Sequence, residues 1–204
     1  GPVPAWTIGI LLLQLSLTYF FAGVAKINAD WLFRAMPLAV WLPEHADLPL
    51  IGSLLQASWA PWAFSWAGAL YDLTIPLWLL YRPTRPFAYL AVVVFHLITW
   101  LLFNIGLFPL IMITSTLLFF SSEWHRHLLA RIGYRSGSEH GSLHFSALAT
   151  RLTQVGMGCY LLVQVILPLR HWCYPGDVLW TEQGYRLSWR VMLVEKVGQA
   201  TFTV

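Results

Sequence analysis

The sequence predicts an all-α integral membrane protein, a bundle of about five transmembrane helices followed by an extracytoplasmic C-terminal segment. Three observations carry that expectation. Hydrophobic residues make up 58% of the 204 positions and charged residues only 10%, with a mean hydropathy of +0.63, and that is too little charge to coat a water-soluble surface of this size. Long apolar runs recur at roughly the length needed to cross about 30 Å of hydrocarbon. Trp6, Trp31, Trp59, Trp62, Trp100, Trp124 and Trp172 fall at or near the ends of those runs, as in aromatic belts at headgroup level.

The first run, Ala5 to Val24, is interrupted only by the neutral polar residues Thr7, Gln14, Ser16, Thr18 and Tyr19. Ala57 to Tyr81, Pro86 to Phe103, Leu107 to Phe120 and Leu152 to Leu169 follow, the fourth run being short for a crossing. Pro61, Pro76 and Pro109 should start or bend helices. Arg82 and Arg85 lie between the second and third runs, and Arg126, Arg131, Arg135 and Arg151 between the fourth and fifth. The positive-inside tendency assigns these loops to the cytoplasm. Lys26, the loop 28–56, the Asn104-Ile105-Gly106 link and the tail after Pro168 then face the periplasmic or lumenal side. The expected organisation is a bundle over residues 1–169 and an extracytoplasmic tail over 170–204. Ser136 to Ser146 reads as a flexible loop and Val197 to Val204 as the opening of a β-rich segment. With no initiator methionine, the chain is expected to be a fragment of a longer protein.

A formal charge of +3 does not indicate a nucleic-acid partner, because the basic residues are scattered singly and form no stripe. Cys159 and Cys173 suggest no disulfide framework. His125, His127, His140 and His144 have no HExxH or CxxC companion, so no metal site is expected.

Three intramembrane or membrane-edge side chains stand out as carriers of chemistry. Lys26 closes the first run and is the only lysine before residue 196. A lysine under apolar cover can act as a general base near neutral pH; the plainer alternative is an amine that snorkels to the headgroups or pairs with Asp30 one turn on. Gly23 and its small neighbours allow another helix to approach closely. Asp72 lies well inside the second run, where a carboxylate must be paired, protonated or hydrated, either as a site residue or as a structural carboxyl that fixes helix packing. His96 is near the middle of the third run, where a neutral imidazole can orient a phenolic or carbonyl oxygen or simply satisfy a core. The tail, with Arg170, Trp172, Tyr185, Arg186, Trp189 and Arg190, suits either a lid over the outer end of the bundle or a segment lying in the interface.

The run Tyr19-Phe20-Phe21-Ala22-Gly23-Val24-Ala25-Lys26-Ile27-Asn28-Ala29-Asp30-Trp31 resembles the catalytic-lysine segment of the vitamin K-dependent γ-glutamyl carboxylases and their microbial relatives with a horizontally transferred transmembrane (HTTM) domain. Leu70-Tyr71-Asp72-Leu73-Thr74, Phe95-His96 with Phe103-Asn104-Ile105-Gly106-Leu107-Phe108, Ser122-Glu123-Trp124, Leu167-Pro168, and Tyr185 with Ser188-Trp189 and Met192 fall in family order. Together these motifs cover most of residues 3 to 196. The resemblance implies that Lys26 deprotonates vitamin K hydroquinone or a related menaquinol. Oxygen then attacks, a strongly basic alkoxide removes a γ-proton from a glutamate side chain, and carbon dioxide captures the carbanion. It further implies that His96, Asp72, Asn104, Tyr185, Trp189 and Met192 shape the cofactor pocket, that no metal takes part, and that membrane lipid, quinone and a possible peptide substrate are the partners. Family members also use a histidine upstream of the lysine motif, and Thr99 stands where an asparagine is expected.

A second reading, from another class, is a quinone- or lipid-binding membrane module without turnover. A third is a proton-coupled transporter relaying through Asp72 and Lys26, although the chain has no repeated halves and few intramembrane charges.

Overall fold

The computed structural model describes residues 5–134 and 146–190. Met192, Arg135, Lys196, the 197–204 segment and all but the last residue of the 136–146 loop, with His140 and His144, lie outside the described residues. Every regular element among the described residues is helical. Four helices are long and apolar enough to cross a membrane.

α1 (Ala5–Ala25) is the first expected crossing. Its apolar residues surround the axis: Leu15, Tyr19 and Phe21 are buried while Ile8, Leu11, Leu13 and Phe20 are exposed, as expected of a helix with protein on one side and lipid on the other. Three short helices follow, α2 (Ala29–Arg34), α3 (Leu38–Trp41) and α4 (Gly52–Leu55), with a 3₁₀ turn at Leu42–His45 between the last two. α5 (Ala60–Leu80) carries Pro61 in its first turn and Pro76 in its interior. α6 (Arg85–Leu102) carries Pro86 in its first turn, and α7 (Phe108–Thr116) carries Pro109 in its first turn. Proline is tolerated in the first turn because the missing N–H has no intrahelical acceptor there.

The fourth apolar run is the one that falls short of a crossing. α7 continues only into a 3₁₀ turn at Leu117–Phe119, and at 1.5 to 2 Å per residue the whole reaches about 20 Å, short of the hydrocarbon thickness. The polar stretch after it is helical, α8 (Ser122–Arg131), started by Ser121, whose hydroxyl accepts from the Trp124 backbone N–H. α9 (Ala147–Leu169) starts five residues before the last apolar run, since backbone hydrogen bonding, not apolarity, decides where a helix begins. A 3₁₀ turn (Arg170–Cys173) and a single-turn helix α10 (Val178–Thr181), capped by Asp177, follow, and turns carry the described chain on to residue 190.

The chain divides into two compact units, one of residues 1–20 and 74–166, the other of residues 21–73 and 167–204. In the first unit, Leu15, Tyr19, Leu79, Val92, His96, Met112 and Thr116 are buried, and α6 packs on α7. In the second, Phe21, Ala25, Trp31, Leu38, Leu42, Leu55, Ser65 and Ala69 are buried. Of the tryptophans expected at the headgroups, Trp59, Trp62, Trp100 and Trp172 are exposed. Trp31 is buried, because its ring and its N–H both have partners inside the second unit.

Candidate functional site

The chemistry-bearing residue of the second unit is Lys26, one residue beyond the end of α1. Gly23 has no Cβ, and one there would come 2.8 Å from Leu73 Cγ and 2.9 Å from the Leu73 backbone nitrogen. α1 and α5 therefore touch almost backbone to backbone at this level, as small residues permit in membrane helices. Asp72 is the neighbour of Leu73, and three residues after Gly23 the lysine amine reaches it: Lys26 Nζ lies 2.6 Å from Asp72 Oδ2. The two side chains are only 11% and 6% exposed. The amine also donates to the Ala22 carbonyl at 3.2 Å and stands 5.5 Å from the centre of the Trp31 ring, within cation–π range.

The lysine pairs with a residue 46 positions away, not with Asp30, whose carboxylate holds Arg34 at 2.9 Å on the exposed face of α2. The physical reason is local. An i,i+4 pair needs both residues on one helix, and the chain leaves α1 before Lys26 and enters α2 only at Ala29.

Asn28 fixes that break. Its Oδ1 accepts from the Trp31 backbone N–H at 2.9 Å, as an N-cap, and its Nδ2 donates to the Ala25 carbonyl at 3.0 Å. Trp31 is then clasped to α5: its Nε1 donates to the Ser65 carbonyl at 2.8 Å, and the Ser65 hydroxyl donates to the Trp31 carbonyl. Trp66 Nε1 donates to the Leu32 carbonyl at 3.1 Å. Sequence reasoning missed Ser65 and gave Trp31 no site role. Their acceptors are backbone carbonyls, which every residue possesses, so spacing alone could not reveal them.

In the first unit, His96 is 3% exposed and lies in a polar cluster contributed by three helices. Its Nε2 is 3.3 Å from the Tyr19 hydroxyl, which is 3.3 Å from Thr116 Oγ1. Phe95 and Phe108 meet the imidazole edge to face, at 5.3 and 6.2 Å between centroids. Thr99 turns its hydroxyl back to the His96 carbonyl at 3.0 Å. Asn104 is exposed in the link between α6 and α7.

The tail residues belong to the second unit. Tyr185 donates its hydroxyl to the Arg190 carbonyl at 2.7 Å, and Ser188 donates to the Tyr185 carbonyl. Trp189 is half-buried with a φ of 56°. Arg190 reaches His171 Nε2 at 3.0 Å. Desolvation pulls the Arg190 guanidinium below its ordinary value, with Tyr185 and Asp177 acting in the opposite sense; an arginine so placed stays charged. Among the described residues, no group of three or more His, Cys, Asp or Glu side chains is placed to hold a metal ion.

Four helices long and apolar enough to cross a bilayer define a multi-pass membrane protein. The chain belongs to the HTTM domain family, whose pattern matches residues 1–124. Residues 149–204 match the lumenal domain of vitamin K-dependent gamma-carboxylase, a match that begins within α9 and covers the tail. No solved structure matches the chain.

Proposed function

We propose that this chain supplies the base and part of the hydroquinone pocket of a vitamin K-dependent, carboxylase-type membrane enzyme. The observation that carries the reading is the 2.6 Å contact between Lys26 Nζ and Asp72 Oδ2 at a place with little water. There, little solvent competes with the carboxylate for the amine. To act as a base the amine must first hand its own proton on, and the carboxylate in contact with it is the group in place to receive that proton. Asp72 orients that amine, and the Trp31 ring beneath it favours the ammonium that forms after proton uptake.

Taken one by one, the residues have chemistry that fits a reduced quinone: a buried amine can take a proton from a phenolic hydroxyl, and the imidazole of His96, in edge contact with Phe95 and Phe108, offers hydrogen bonding in the apolar surroundings that suit a flat ring. Vitamin K hydroquinone, when bound, supplies an acidic hydroxyl and, with oxygen, the driving force for removing a γ-proton from a glutamate side chain ahead of capture by carbon dioxide. The family resemblance adds Asn104, Tyr185, Trp189 and Met192 as candidate cofactor-binding residues, Met192 lying outside the described residues. The loop arginines support placing Lys26 and the tail, residues 170–204, on the periplasmic or lumenal side, and the lumenal domain named in the second match agrees with it.

The test is hydroquinone- and oxygen-dependent incorporation of labelled carbon dioxide into a glutamate-containing peptide by the full-length protein in lipid. Lys26→Ala should lower the rate by at least about a hundredfold, the usual contribution of a general base. An unchanged rate overturns the assignment.

A second reading has its own observation. Lys26 is already engaged by Asp72, the Ala22 carbonyl and the Trp31 ring, which is also what a structural ion pair in a quinone- or lipid-binding module would show. Wild-type protein that binds hydroquinone yet incorporates no carbon dioxide would favour that module.

A further inference from the structure

The hydrogen bonds around His96 have a direction, and that direction fixes a proton. Thr116 is fully buried, and its Oγ1 lies 2.7 Å from the Met112 carbonyl, four residues back in α7. A carbonyl only accepts, so the single hydroxyl proton of Thr116 is committed to it. Thr116 Oγ1 therefore accepts from the Tyr19 hydroxyl at 3.3 Å. The phenolic proton is in turn spent, and the contact of Tyr19 with His96 Nε2 at 3.3 Å requires the imidazole to be the donor.

We infer that Thr116, acting through Tyr19, holds His96 as its Nε2–H tautomer. Both are positioning residues for His96. Nδ1 is then the acceptor nitrogen of the neutral ring, and whatever group meets it must donate. A hydroxyl of a reduced quinone satisfies that requirement; a carbonyl of the oxidised form does not. The chain also stays intact if Nδ1 takes up a proton, because the imidazolium still donates from Nε2 to Tyr19. The assignment of the tautomer stands on geometry alone, while its consequence for ligand choice rests on the hydroquinone reading proposed above.

The tautomer is read directly by proton–nitrogen correlation NMR on full-length protein labelled with ¹⁵N-histidine in lipid, the His96 signal being identified by its loss in His96→Gln. The wild type should carry its ring proton on Nε2, and Thr116→Ser, which keeps the hydroxyl, should match it. In Thr116→Val the phenolic proton loses its acceptor and is donated to Nε2, so the ring proton should move to Nδ1. A wild-type ring protonated on Nδ1 overturns the inference even if the valine variant fails to fold. A folded Thr116→Val protein with the wild-type tautomer overturns the role of Thr116.

No quinone is present in that measurement, so its outcome is separate from the question of turnover. The ligand half of the inference is read in the same variants by KM for vitamin K hydroquinone. Thr116→Val should raise it about tenfold, the value of one lost hydrogen bond, with kcat changed less and Thr116→Ser restoring it. A shifted tautomer with an unchanged KM, in protein that does turn over hydroquinone, overturns the ligand role of Nδ1.

Discussion

Gly23 lies against the backbone of Leu73, where a Cβ on residue 23 would come 2.9 Å from the Leu73 nitrogen. Backbone cannot swing aside as a side-chain tip can, so Gly23→Ala must push α1 and α5 apart at the level of the Lys26–Asp72 contact. The expected cost is about 1–3 kcal/mol, as for overpacking elsewhere. Gly9, in the same helix, has nothing within 4 Å of its would-be Cβ, and Gly9→Ala should be neutral or gain about 0.5–1 kcal/mol. Reversible unfolding of the two variants in detergent separates them. Equal stability would mean that the helices do not approach as closely as described.

The Lys26–Asp72 pair should behave as a buried pair does. Asp72→Leu alone leaves an uncompensated ammonium and should cost about 3–5 kcal/mol, whereas Lys26→Met/Asp72→Leu together should recover most of that loss. The exposed Asp30–Arg34 pair is the internal comparison. With side chains 41% and 73% exposed, breaking it should cost no more than about 1 kcal/mol. A double-mutant cycle on each pair checks this, and additivity at Lys26 and Asp72 would dissolve the proposed contact.

Both charged residues were visible in the sequence because each is expensive in an apolar run, yet the pairing itself was not. Spacing favoured Asp30 for Lys26, and only the break between α1 and α2 directs the amine elsewhere. The long helices were legible for the same reason as the charges, since lipid leaves no polar residues to blur their limits. α9 was read short because Arg151 and Thr150 ended its apolar run although the helix continues through them to Ala147. Tyr19, His96 and Thr116 come from three separate helices, and of these only the histidine is unusual enough in an apolar helix to draw notice. The position of Trp31 at a run's end suits an interfacial tryptophan, and nothing in the spacing reveals its bond to Ser65.

The clasp of Trp31 on Ser65 predicts coupled losses. Ser65→Ala removes one donor and should cost about 0.5–1.5 kcal/mol, while Trp31→Phe leaves a buried carbonyl without its donor and should cost about 1–3 kcal/mol. Because the two bonds close one ring of contacts, the double variant should cost less than the sum. In the same unfolding assay, strict additivity would show that the two residues act independently and that Trp31 is not held in place by α5.

The tail offers the last test. Gly184 has a φ of +75°, and a Cβ there would come 2.6 Å from Cα of His171. His171 Nδ1 is 2.7 Å from the Pro168 carbonyl, which makes Nδ1 the donor and leaves Nε2 to accept from Arg190 at 3.0 Å. Arg170 donates to the Arg186 carbonyl at 2.8 Å, so residues 184–190 are tied to the 3₁₀ turn that follows α9 by three connections that share one close backbone approach. Gly184→Ala faces both the left-handed backbone penalty, about 1–2 kcal/mol, and a clash that only movement of the segment relieves. Hydrogen exchange of the 184–190 amides should rise, and trypsin should cut after Arg186 faster, while unfolding of the long helices stays where it was, because α9 does not need the tail to remain in lipid. Gly156→Ala, in the interior of α9 with nothing within 4 Å, should leave tail protection unchanged. Protection of 184–190 that is equal in wild type and Gly184→Ala would mean that the segment is held by contacts other than its seat on His171.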